Sequence, residues 1–300
     1  MNSWQKYLDP QHLAKLHGLP LRARTIVEGY IAGLHRSPYR GFSVEFAQHR
    51  EYSPGDDLRY VDWKVFGRTD KFYLKQFEEE TNQICYLVLD VSASMGYQSK
   101  GAPLSKLEYA KCVLAALGYL SLLQQDAVAF AAYNWQVQEV LLPGGTAAHL
   151  DRLLEILDRL QPSEHSLTAT VFHELAERFR KRGLVIIASD LFENAEPLLA
   201  GLKYFRYRRH DVIVFQIVDP AEMDFPFQQL AQFRGLEKGE TVVADPRAIR
   251  RAYLEAFTKH QRTVAAGCRL HRIDYQLLRT DQSLGLALAN YLARRAHLRW

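Results

Sequence analysis

The feature that most constrains this chain is a set of continuous apolar runs that each stop at an acid. Residues 84–89 stop at Asp90, residues 184–188 stop at Ser189-Asp190, and residues 212–218 stop at Asp219-Pro220. A strand with one face in water alternates apolar and polar side chains; an unbroken Val/Ile/Leu run is what a strand buried on both faces requires. Residues 128–133 and 137–142 are two further runs, separated only by Asn134, Trp135 and Gln136, and this spacing predicts a hairpin. A weaker strand is expected over 270–275.

Helical patterns fill the intervals. Ser105-Lys106-Leu107-Glu108 has the form of a capping box, and Leu107, Ala110, Leu114, Leu117 and Leu120 then recur at helical spacing. Asp245-Pro246 sets a capping acid before a proline at a first helical position, and Gly267 offers a left-handed stop. Further helices are expected over 147–160, 169–181, 195–207 and 284–295. Strands alternating with helices predict an α/β fold: a doubly wound, mostly parallel, Rossmann-type sheet with one antiparallel hairpin strand. The expected division is an N-terminal helical and β-containing region over 1–83 and an α/β domain over 84–300.

Open α/β sheets bind ligands outside the carboxyl ends of their strands. There the first run leads into Asp90-Val91-Ser92-Ala93-Ser94 and a later one into Ser189-Asp190. Two carboxylates and two hydroxyls are hard oxygen donors, the kind that hold Mg²⁺ together with several of its waters. Asp and Ser are also common at strand-to-loop turns, where they bond their own backbone. The placement of Asp190 after a second buried strand favours the metal-site reading.

Residues 40–80 differ in character. They hold sixteen charged residues and nine aromatics, a composition unlike that of a Gly/Ser/Pro linker. Residues 41–52 and 72–77 look strand-like, and Ser53-Pro54-Gly55-Asp56 is a turn signal. Arg50, Arg59, Trp63 and Arg68 are of the types favoured at binding hot spots, so the segment reads as a partner-docking surface. It reads equally as a structural platform in which Arg–carboxylate forks surround packed aromatics.

Other chemistries are poorly served. No G-x-x-x-x-G-K-[ST] and no H-E-x-x-H occurs, and His49, His165 and His173 lack zinc spacing. The net charge of +4 comes from 38 basic residues against 34 acids, too even a balance to argue for nucleic acid. The basic runs at 178–182 and 206–210 fall at expected helix ends, where cations suit the dipole. Cys85, Cys112 and Cys268 form no C-x-x-C, and the longest apolar stretch is too short for a membrane span. Residues 1–16 do not look like a secretory signal. A cytoplasmic protein with no membrane insertion is the expectation.

Two resemblances follow from these residues. Asp90, Ser92, Ser94 and Asp190 match the metal-ion-dependent adhesion site of von Willebrand factor A domains, whose pattern adds a loop threonine; Ser166 is the first choice for that place and Thr168 the alternative. The stretch from Glu45 to Lys64, with Arg68-Thr69-Asp70 and Phe77 to Glu80, resembles the signature of the bacterial domain-of-unknown-function-58 family, and the likeness runs on through Asp219-Pro220-Ala221-Glu222. The resemblance implies a von Willebrand factor A-like scaffold that works beside a MoxR-type AAA+ ATPase in assembling or activating a client protein. An acidic partner residue would complete the shell of a bound Mg²⁺. A competing reading, a Mg²⁺-dependent phosphohydrolase with Asp90 as nucleophile, wants a second Asp at the position that Ser92 occupies.

Overall fold

The computed structural model describes residues 8–34, 49–51, 73–75, 83–237, 239–285, 287–289 and 291. The chain divides into two compact units, one of Met1–Gly33 with Gln83–Trp300 and the other Leu34–Asn82. Residues up to Gly33 therefore group with the α/β unit, whereas the sequence placed them in a separate region over 1–83.

In the smaller unit, β1 (His49–Glu51) and β2 (Tyr73–Lys75) pair antiparallel, His49 opposite Lys75. Both lie within the segments read as strand-like. Arg50 sits in β1 opposite Leu74, while Arg59, Trp63 and Arg68 lie outside the described residues.

The larger unit begins with α1 (Pro10–Leu13) and α2 (Leu19–Leu34), followed by β3 (Ile84–Asp90), α3 (Lys106–Leu123), β4 (Ala127–Tyr133) and β5 (Val137–Gly144). Next come α4 (Ala147–Arg159), α5 (Thr168–Arg178), β6 (Gly183–Ser189), α6 (Ala195–Tyr207) and β7 (Asp211–Val218). The last elements with defined bounds are α7 (Pro220–Asp224), β8 (Ala231–Arg234), β9 (Thr241–Ala244), α8 (Pro246–Leu270) and β10 (Asp274–Arg279). The main sheet has the order β10-β7-β6-β3-β4-β5 and is parallel except for β5, which runs antiparallel to β4. This is a doubly wound, mostly parallel α/β sheet with one antiparallel strand, as the apolar runs required.

Every residue of β3, β6 and β7 is buried, because helices cover both faces. On one face Phe172 and Leu175 of α5, Leu198, Leu202 and Phe205 of α6, and Val264 and Cys268 of α8 meet Tyr86, Val88, Val185, Ile187, Val212 and Val214. On the other lies α3, buried along nearly its whole length, with Gly118 closing on Leu87 of β3 and Leu153 of α4. Each such fully buried aliphatic side chain contributes about 1.5–3 kcal/mol. Within this unit, Arg22 of α2 reaches Glu108 of α3 at 3.3 Å and the Leu284 N–H donates to the Leu8 carbonyl. Cys85, Cys112 and Cys268 are all buried.

Three local expectations change. The Ser105 hydroxyl accepts from the Glu108 N–H, but the Glu108 carboxylate pairs with Arg22 and Lys111, so only half of the capping box forms. Helix α8 runs through Gly267 to Leu270, and β10 begins only at Asp274, not over 270–275. Gly267 is there for close packing: a Cβ on it would stand 2.3 Å from Leu199 of α6. The hairpin β8–β9 and the short α7 were not anticipated. Of the helix expected over 284–295, residues 285, 287–289 and 291 are helical and 292–295 lie outside the described residues.

Gly183 starts β6 opposite Ile84, where a Cβ would stand 2.3 Å from the Ile84 carbonyl oxygen. That obstacle is backbone and cannot rotate away. Gly183→Ala is expected to lower stability by about 2 kcal/mol in urea denaturation, through strain between the two central strands.

Candidate metal and partner site

The parallel register of β3 with β6 sets Leu89 beside Ala188, so both strands leave the sheet side by side and deliver Asp90, Ser189 and Asp190 to one edge. Asp90 is fully buried. Its Oδ1 accepts the Ser92 N–H at 2.9 Å and its Oδ2 the Ser189 hydroxyl at 2.6 Å. The chain then turns through a short 3₁₀ segment, Ala93–Gly96, and the Ser92 and Ser94 hydroxyl oxygens come within 3.1 Å of each other. Bonds from the Ser163 N–H to the Val91 carbonyl and from the Ala93 N–H to the Glu164 carbonyl hold this loop. Leu191 and Glu164 adopt left-handed backbone at φ 57° and 60°, a conformation costly for such residues and common where a site is being shaped.

Asp190 follows β6. Its Oδ1 accepts the Phe192 N–H, and its Oδ2 takes the Lys106 ammonium at 2.8 Å. The same ammonium reaches Glu222 Oε1 at 2.7 Å and lies 4.7 Å from the centre of the Phe192 ring. Lys106 is completely buried. Burial alone would push its pKa down, but the two carboxylates outweigh that and raise it, so it stays charged. Glu222 is aimed by α7, where Asp219 and Glu222 form a true capping box: Glu222 Oε2 accepts the Asp219 N–H and leaves Oε1 for Lys106.

Of the two hydroxyls considered for the loop position, Thr168 is buried at the start of α5. Its hydroxyl and N–H both donate to Glu193 Oε1, which caps a helix whose own N-cap, Leu167, has no side-chain acceptor. Ser166 is half-buried. Thr168 is thus the one drawn into the buried cluster.

The electrostatics are lopsided. Asp90 is pushed up to about 7, first by burial and then by the charge of Asp190. Tyr133, which ends β4 beside Asp90, has a fully buried phenol oxygen with no hydrogen-bond partner, although the Ser189 and Thr168 hydroxyls lie around it. Burial also raises its pKa well above the usual phenol value, with Asp90 adding to the effect. Glu193 and Glu237 bring further negative charge.

Among the described residues no group of three or more His, Cys, Asp and Glu side chains is arranged to hold a metal. What converges is a different donor set: the carboxylates of Asp90 and Asp190 with the hydroxyls of Ser92, Ser94 and Thr168. All are oxygen donors, one buried carboxyl is repelled by its neighbour, and an orphaned phenol lies beside it. This chemistry suits a hard divalent cation that keeps part of its water shell.

The structure brings Asp90, Ser92, Ser94 and Asp190 to one edge of the sheet, and Lys106, Glu222, Tyr133 and Glu193, which sequence reasoning missed, stand with them. Lys106 carried a signal: a lysine in the first turn of a helix opposes the dipole and calls for a local acid.

Residues 48–263 match the model of the family described as "Protein of unknown function DUF58". An uncharacterized protein of Mycobacterium tuberculosis, Rv1480, is 24% identical over 297 residues, covering 96% of this chain and 90% of its own length. Among solved structures, the conserved hypothetical protein BatB from Bacteroides thetaiotaomicron aligns with a TM-score of 0.51 at 15% identity, covering 72% of this chain and 99% of its own. The SpRpn10 VWA domain aligns at 9% identity and a TM-score of 0.44, over 70% of this chain and 95% of that one. The likeness to BatB concerns the fold alone.

Proposed function

The chain belongs to the DUF58 family, and from that premise we propose that it is a metal-ion-dependent protein-binding module that docks an acidic residue of its partner at the Asp90 edge of the sheet. The observation that carries this reading is the convergence of Asp90, Ser92, Ser94 and Asp190 around a buried, electrostatically frustrated carboxyl. In this reading Asp90, Ser92, Ser94 and Thr168 would hold Mg²⁺, with Ser166 beside them on the same loop and Asp190, whose oxygens accept from Lys106 and the Phe192 N–H, flanking the ion. When bound, the ion supplies an open coordination position for a partner carboxylate.

The chain's own residues do the rest. Asp90 supplies charge and is oriented by the Ser92 N–H and the Ser189 hydroxyl. Lys106 neutralises part of the acidic edge and fixes Asp190 between itself and the Phe192 N–H. Phe192, Leu167 and Trp135 stand exposed around this polar centre, an apolar rim of the kind that excludes water at a binding contact. The phosphohydrolase alternative has less support, because no second Asp stands at the position of Ser92.

The partner assigned by the resemblance is a MoxR-type AAA+ ATPase, with which this module acts in the cytoplasm on a client protein. Among the described residues no helix is long and apolar enough to cross a membrane. The test is co-precipitation with the ATPase. Retention in Mg²⁺, loss in EDTA and loss on Asp90→Ala are expected; equal retention in all three conditions would rule out a metal-bridged contact.

A further inference from the structure

The parallel strands β6, β7 and β10 begin at the edge of the sheet opposite Asp90, directly after α5, α6 and α8 end. The turns between them are short: residues 179–182, 208–210 and 271–273. They carry Arg180, Lys181, Arg208, Arg209 and Arg272, all exposed, and Arg269 stands exposed in the last turn of α8. Acids answer few of the cations here. Asp211 is taken by Arg182 at 3.4 Å and by Arg206 at 2.9 Å, and Glu174 by Arg178. Among the described residues, Glu177 and Asp274 are the other exposed acids of this edge.

A helix C-terminus favours a nearby cation, yet that does not account for these arginines. Helices α6 and α8 close with the same turn: the His210 N–H donates to the Phe205 carbonyl and the Ile273 N–H to the Cys268 carbonyl, both at 2.9 Å. The residue before each donor is left-handed, the place glycine usually takes, and it is Arg209 at φ 64° and Arg272 at φ 55°. Left-handed backbone costs a residue with a side chain more than the dipole gains from one exposed cation. Helix α3, on the other face of the sheet, ends at the same edge with Gln125 in that position at φ 62° and no basic residue in its last turn. The turn therefore does not call for an arginine. Beside the cations stand Tyr207 at 85% exposure and Leu270 at 78%, the two most exposed large apolar side chains among the described residues. They are the last residues of α6 and α8.

We propose that this edge is a peripheral docking surface for a membrane of anionic phospholipid. The exposed arginines and Lys181 gain from the negative surface potential, while Tyr207 and Leu270 enter the boundary between headgroups and acyl chains. A nucleic acid or an acidic protein would meet the same cations. The two protruding apolar side chains among them favour a lipid surface, which yields to receive them, and charge with apolar insertion supplies the two signals that stable anchoring needs. The chain lies on the membrane without spanning it. The Asp90 edge, at the other end of the strands, then points away from the bilayer and stays open to a partner.

The test is co-sedimentation of the full chain with vesicles, in EDTA so that the metal site plays no part. The vesicles are phosphatidylcholine alone, or phosphatidylcholine with an equal part of phosphatidylglycerol. Binding to the anionic vesicles is expected to be at least about tenfold stronger than to the neutral ones and to weaken as salt is raised. Arg209→Gly/Arg272→Gly is expected to lose about tenfold in that binding while melting no lower than wild type, because glycine relieves both left-handed positions. Tyr207→Ser/Leu270→Ser keeps every charge and is expected to lose about tenfold as well. No preference for the anionic vesicles, or wild-type binding by both double variants, would overturn the proposal. So would binding to a DNA duplex or to polyglutamate that matches binding to the vesicles and is indifferent to Tyr207→Ser/Leu270→Ser, since the edge would then serve a polyanion and not a lipid surface.

Discussion

Asp90→Asn is expected to make the metal-free protein more stable at pH 7.5, by about 3 kcal/mol, and to remove any stabilisation by Mg²⁺. The sign follows from the environment of Asp90. Its carboxyl is pushed up to about 7 in the folded chain by burial and by Asp190, against an ordinary carboxylate value in the unfolded chain. Between those two values the folded state holds a proton that the unfolded state has released. This contribution is therefore most favourable below the unfolded value, declines as pH rises, and is lost above about 7. A neutral amide keeps the acceptor for the Ser92 N–H and avoids the buried charge. For an α/β unit of this size the gain corresponds to roughly 5–10 °C in melting temperature. Thermal melts in EDTA from pH 4.5 to 8 provide the measurement, with wild type losing stability along that range and Asp90→Asn losing much less. In saturating Mg²⁺ the wild type should recover about 2–3 kcal/mol and the variant nothing. A variant less stable than wild type at every pH would show that Asp90 is an ordinary structural acid.

The second large effect concerns Lys106. Its ammonium is the shared partner of Asp190 and Glu222, and it has no exposure to solvent. Lys106→Met fills similar space but leaves two carboxylates facing each other without their cation. Breaking a buried ion cluster from one side costs about 3–5 kcal/mol, because the remaining charges lose their compensation and not because the cluster itself stabilises by that amount. Urea denaturation of Lys106→Met should show this loss. The triple variant Lys106→Met/Asp190→Asn/Glu222→Gln should regain most of it, since removing all the charges together removes the penalty. If the triple variant is as unstable as the single one, Lys106 acts through packing on Phe192 and not through charge. The arrangement also ties three elements together, since α3, the β6 end and α7 each supply one member.

The strands were legible because burial on both faces leaves a sequence no freedom to alternate. Residues 84–89, 184–188 and 212–218 state that condition directly, and their terminal acids mark the carboxyl edge of the sheet. Short edge elements carry no such imprint. β8 alternates partly buried and exposed residues over only four positions, and β9 is nearly all exposed, so neither differs from a loop in sequence. The start of β10 was displaced because Leu270 looks like a strand residue but ends a long helix, with Arg272 in left-handed backbone at φ 55° making the turn.

The site was half legible for a related reason. Asp90-x-Ser92-x-Ser94 is local, so its spacing alone brings the groups together once β3 ends. Lys106 and Glu222 reach the same place from α3 and α7, and only the fold brings them there. The choice between Ser166 and Thr168 was of the same kind. Two residues along one loop differ little in sequence, yet Thr168 is buried with its hydroxyl bonded to Glu193 while Ser166 is only half-buried.

The central claim is that Asp90, Ser92 and Ser94 hold a divalent cation at the carboxyl edge of the sheet. Its most direct test is a crystal of the full chain soaked in Mn²⁺, with data collected to give an anomalous difference map. A single strong peak bounded by the Asp90 carboxylate and the Ser92 and Ser94 hydroxyls, absent from Asp90→Asn crystals treated in the same way, is the predicted result. No peak at that edge in millimolar Mn²⁺ would contradict the account.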